Sequence, residues 1–137
     1  MVQPGDIVHL FFRSIRDQKY KYAVVACMSP RPGFFLINSE ITEFAQKRKD
    51  LLAAKVKIHA EEHGCLRHNS FVDTAEMFGE YSADDLENAI KGDPNIIRGR
   101  ISERCRERML RAVSESRLLP QVKKDWVVAA FTDDETA

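Results

Sequence analysis

Apolar positions fall in short runs separated by turn signals over the first forty residues. Pro4-Gly5-Asp6 is a turn that releases Ile7 to Phe12, an apolar and aromatic run of strand length. After the polar stretch RSIRDQKYK, residues 22–28 form a second, β-branched run, and Ser29-Pro30-Arg31-Pro32-Gly33 separates it from a third at 34–38. Three strands so closely spaced predict a meander. Residues 42–55, TEFAQKRKDLLAAK, hold good helix formers, with Phe44, Leu51, Leu52 and Lys55 at compatible spacings, and predict either a helix or a long loop. Val56, Ile58 and Ala60 then alternate with Lys57 and His59, and a turn at 61–64 leads into a strand at 65–73, which predicts a hairpin.

The second half of the chain is more helical. Ser82, with Asp84 and Asp85 behind it, is an N-cap with first-turn acids, and Gly92 and Pro94 stop that short helix. A strand follows at 95–101. Ser102 caps the strongest helix, SERCRERMLRAVSESRLL, which Pro120 ends. Cys105, Met109, Ala112, Val113 and Ser116 share one face of it, and Arg100, Arg104, Arg108 and Arg111 form a stripe alongside. Val122, Trp126 and Ala130 recur every four residues, so the last segment reads as a short amphipathic helix, with a final strand as the alternative. No internal repeat or low-complexity linker divides the chain. The expectation is a single domain over 1–137, mainly β with α (α+β): a small antiparallel barrel over about 4–119 with the long helix packed on it, and a helical extension at 120–132.

Composition narrows what such a domain does. A chain of 137 residues buries enough surface to fold without staples. No apolar run approaches the ~18 residues that span a bilayer, and MVQPGDIVHLFF lacks the basic leader and apolar core of an export signal. Cys27, Cys65 and Cys105 are an odd set at wide spacings, which fits a reducing compartment. The expected location is the cytoplasm, with no membrane partner. A formal net charge of +0 excludes a generally basic, nucleic-acid-coating protein and leaves only local patches, at QKRKD with Lys55 and Lys57 and along the arginines from Arg98 to Arg111.

The chemistry-bearing residues concentrate in HGCLRHNSFVDT, residues 63–74. His59, His63, Cys65 and His68 are nitrogen and sulfur donors that zinc could use, but their spacing matches no common zinc pattern, so no metal or cofactor is expected. On a strand, Arg67 and Asn69 would face one side and His68 the other. Cys27 and Cys105 read as small core hydrophobes.

Five segments in succession resemble the MazF/PemK (Kid) toxins: the opening PGDIVHLFF, the basic residue before Ala-Val-Val in KYKYAVVA, the third strand FFLINSEIT, the glycine-led GCLRHNSFVDT, and GRISERCRERMLRAVSESRLL with its closing helix. The resemblance implies an SH3-like antiparallel barrel that forms a homodimer, is neutralised by an antitoxin protein, and cleaves single-stranded RNA without a metal as the toxin of a type II toxin-antitoxin system. Lys21 and Tyr22 stand where relatives carry Arg-Pro; lysine keeps the charge and loses the bidentate fork. Ser39 matches the hydroxyl ending strand three, Arg67 the strand arginine, and Asn69 stands at the acid position with His68 between them. Lys21, Ser39, Arg67 and His68 are therefore the expected catalytic group, with Lys19, Arg13 and Asn69 as RNA contacts. The loop from Arg13 to Lys19 is a second source of proton transfer. The missing Arg-Pro pair and the Asn at the acid position keep two alternatives open: a non-catalytic relative that binds RNA or a protein, and an interaction module of unrelated ancestry.

Overall fold

The structure, a computed structural model, describes residues 1–136. Strands β1 (Asp6–Phe12), β2 (Lys19–Cys27) and β3 (Gly33–Asn38) form the meander that the apolar runs predict. They are followed by α1 (Glu43–Gln46), α2 (Lys49–Ala53), β4 (Lys55–Ile58), β5 (Ser70–Asp73), α3 (Ala83–Gly92), β6 (Ile97–Arg100), α4 (Glu103–Glu115) and α5 (Gln121–Thr136). Every strand pairing is antiparallel, in the order β4-β5-β3-β2-β1-β6. The domain is α+β.

The sheet does not close into the expected barrel. Strands β4 and β6 are its two edges, and among the described residues they do not pair. A barrel hides one face of its sheet, whereas here both faces are apolar and each is covered. Ile7, Val24, Phe35, Ile37 and Val72 point to one side, where they meet Met109 and Val113 of α4 and Val127 and Phe131 of α5. Val8, Leu10, Ala23, Val25, Phe34 and Leu36 point to the other, against Leu86 of α3. Burying each such large side chain contributes roughly 1.5–3 kcal/mol, so neither cover is dispensable. Chain entry depends on Gly5 at φ +93°. Its amide donates to the Val25 carbonyl at 2.8 Å and its carbonyl accepts from Ile101 at 2.9 Å, while a Cβ there would sit 3.1 Å from the Arg100 guanidinium.

Four expected elements are corrected. The 42–55 segment is two short helices, because Arg48 is extended (φ −118°, ψ 118°) and serves as the N-cap of α2. The strand expected at 65–73 starts only at Ser70. Strand β4 ends at Ile58, where the chain turns through a 3₁₀ segment at Ala60–Glu62, so residues before Ser70 have no partner strand. Pro94 opens another 3₁₀ turn, capped by the Asp93 carboxylate, and shortens the following strand to Ile97–Arg100. The C-terminal segment is the expected helix, reaching Thr136, but among its described residues the buried ones are Val127 and Phe131, with Val122 52% exposed. It is part of the core rather than an extension.

Candidate functional site

Helices α4 and α5 cover the sheet face around Ile7 and Val24 but stop short of the next same-face pair, His9 and Tyr22. A groove of about 400 Å³ opens there. Its sheet side is formed by His9, Tyr20, Tyr22, Ile37 and Ser39. The opposite wall is the β4–β5 connection, which contributes Cys65, Leu66, Arg67 and His68. Among the described residues no acidic side chain lines it.

The connection is held in shape by its own polar groups. Ala60 N–H donates to the Asn69 side-chain carbonyl at 2.9 Å, and Leu66 N–H donates to the His63 carbonyl at 2.9 Å. His63 is buried, with Nδ1 2.7 Å from the His59 carbonyl and Nε2 accepting the Ser102 amide at 2.9 Å. A carbonyl only accepts and an amide only donates, so the ring carries its proton on Nδ1. That ring ties the groove wall to the N-cap of α4.

Because Arg67 and His68 lie on this bend rather than on a strand, the alternation that would separate them does not apply, and both line the groove with Ser39. Lys21 borders the same groove but sits between Tyr20 and Tyr22 on β2, so its side chain leaves the opposite face. Its ammonium donates to the Asn38 side-chain carbonyl, in a second groove of about 440 Å³ that α1 and α2 enclose with Lys19. Burial first and the charge of Lys19 second hold the Lys21 amine below the ordinary lysine value. Ser39 borders both grooves. Arg13 lies outside both linings, and its amide, like that of Ser14, donates to Glu80. Asn69 spends its carbonyl on Ala60.

The residue that sequence reasoning missed is His9. It is the polar position inside the apolar run Ile7 to Phe12, and its register partner is Tyr22. The His9 ring lies 4.7 Å from Tyr22 and stacks on Tyr20 at 5.5 Å, while Phe11 meets Tyr20 edge-on at 5.3 Å. Arg98 reaches over Tyr22, 5.8 Å from the ring centre, with a guanidinium nitrogen 3.4 Å from the hydroxyl. Burial, and secondarily the Arg98 charge, lower the His9 pKa from its ordinary 6.5, so the imidazole is neutral at pH 7.

The four donors weighed for zinc do not converge. His63 uses both ring nitrogens inside the fold, and His59 Nε2 lies 3.0 Å from the Arg104 guanidinium. Among the described residues no three His, Cys, Asp or Glu side chains gather as a metal-holding group. A scan against protein-family models matches none, and a search of curated proteins finds no relative.

Proposed function

We propose that the groove binds single-stranded RNA and cleaves it without a metal. The observation that carries this reading is the meeting of His9, Ser39, Arg67 and His68, from three separate segments, in one groove where no carboxylate lies among the described residues. Internal RNA cleavage needs a base for the ribose 2′-hydroxyl, an acid for the departing 5′-oxygen and a cation for the phosphorane. Neutral His9 takes the 2′-hydroxyl proton as that oxygen attacks phosphorus. His68 protonates the 5′-oxygen as the P–O5′ bond breaks, which leaves a 2′,3′-cyclic phosphate and a 5′-hydroxyl. Arg67 supplies the fork that holds the phosphorane oxygens, and Ser39 donates to a neighbouring oxygen. Lys21 takes no part in the step, because its ammonium is held by Asn38 in the second groove. The nucleophile is internal to the substrate, so positioning and one or two cationic donors supply the catalysis.

The succession of five MazF/PemK-like segments supports the further reading that this is the toxin of a type II toxin-antitoxin system, working in the cytoplasm as a homodimer and silenced by an antitoxin protein. Asn69 favours the alternative of a relative of those toxins that binds RNA or a protein without cutting, because it stands at the acid position and has its side chain engaged with Ala60. One assay decides between them. Mixed single-stranded RNA incubated with the purified protein in chelator should be cut, and Arg67→Ala should slow the reaction by about 10²- to 10³-fold. Intact RNA in the presence of folded wild-type protein rejects the enzyme in favour of the binding module.

A further inference from the structure

We propose that the β1–β2 face beside the groove is a base-stacking strip that admits RNA only with its bases unpaired, with Tyr20 as the outer platform and His9 with Tyr22 as the inner one. The inference deepens the RNA-binding reading and rests on it. Alternation puts His9, Phe11, Tyr20 and Tyr22 on one face, in the register pairs His9–Tyr22 and Phe11–Tyr20. Their contacts link the rings into a continuous row. Tyr20 is 63% exposed and so is open to a ligand from solvent. On the other face of the sheet the aromatics Phe12 and Phe34 meet edge to face and are fully buried in the core, whereas this row lies open beside the groove. The row runs directly into the groove, since His9, Tyr20 and Tyr22 also line it.

Charge selects the occupant. Arg98 stands over Tyr22, Arg67 lines the same groove, and among the described residues no acidic side chain lines it. A flat apolar ring row flanked by cations matches a chain of π-faced bases on a phosphate backbone. One base lies on Tyr20 and the next enters the groove on His9 and Tyr22, which carries the intervening phosphate toward Arg67. A duplex keeps its bases stacked on each other and cannot make this contact.

The test separates stacking from cleavage by using a fluorescent 2′-O-methyl oligonucleotide of about ten residues, which lacks the nucleophile and cannot be cut. Wild-type protein should bind it, and should bind the matching duplex and a strand with two abasic positions at least about tenfold more weakly. Tyr20→Ala should lose about 5- to 100-fold in affinity, whereas Tyr20→Trp should retain it. Tyr20 is exposed, so the alanine variant should stay folded, and the tryptophan variant guards against a structural cause. Wild-type binding that Tyr20→Ala leaves unchanged, or equal affinity for the duplex, overturns the strip and leaves the RNA-binding reading standing. Wild-type protein that binds none of the probes overturns both. Selective binding lost in Tyr20→Ala, with ordinary RNA left uncut, upholds the strip and rejects only the nuclease.

Discussion

His9 and His63 show how far one side chain's role depends on its neighbours. Both are ring nitrogens in a half-apolar setting, but His63 is locked between the His59 carbonyl and the Ser102 amide, and His9 opens on the groove. The shifted titration of His9 gives a check that does not depend on a substrate. Its folded pKa lies below the ordinary 6.5, through burial first and Arg98 second. The unfolded chain therefore takes up the proton more readily, and this contribution to stability is complete above pH 6.5 and drains as pH falls toward the lower folded value. His9→Gln removes the difference. Urea midpoints measured near pH 7.5 and pH 5.5 should fall less in the variant than in the wild type, by a small margin because the ring is only partly buried and solvent screens it. Equal falls in the two proteins would show that His9 is not the group responsible.

Among the helices, α4 follows its sequence pattern most closely. Ser102 accepts from the Cys105 amide at 3.1 Å, and Cys105, Met109 and Val113 are all buried on the sheet side. Met109 has no exposed surface and lies in a cluster of buried apolar side chains, so Met109→Asp forces a carboxylate out of water. A loss of about 3–5 kcal/mol is expected, read as a drop in melting temperature of at least several degrees. An unchanged transition would mean that this face does not pack as described. Arg106 marks the limit of the pattern. It lies within α4 yet donates to the Phe131 carbonyl at 2.8 Å and spans that ring at 5.6 Å, a pairing between α4 and α5 that helical spacing does not contain.

For the protein as one body, the open sheet with two apolar covers leaves several large apolar side chains on the outside. Phe44 and Leu52 are 65% and 42% exposed on α1 and α2, and Val122 and Val128 are 52% and 46% exposed on α5. Eight Phe, three Tyr and one Trp give enough ring surface for an interface as well as a core. The proposed two-fold pairing should appear in sedimentation at micromolar concentration as a species of twice the monomer mass. A single monomer boundary across the whole concentration range would remove the dimer from the proposal and leave the groove untouched.

Much of the strand and helix content is legible in local chemistry: Gly5 at its turn, the runs at 7–12 and 34–38, and the Ser82 and Ser102 caps are short-range signals whose physical cause lies within a few residues. The uninterrupted apolar runs at 23–27 and 34–37 also carried a sign that both sheet faces are buried, since a half-exposed strand alternates. Sheet closure was not readable, because it depends on whether distant β4 and β6 meet. Nor was the end of β5, because a strand lasts only as long as its neighbour does, and β4 stops at Ile58. The groove followed from those two long-range facts. Residues 67 and 68 left the sheet and so shared one cavity, while Lys21, kept in register on β2, had to send its charge to the other side.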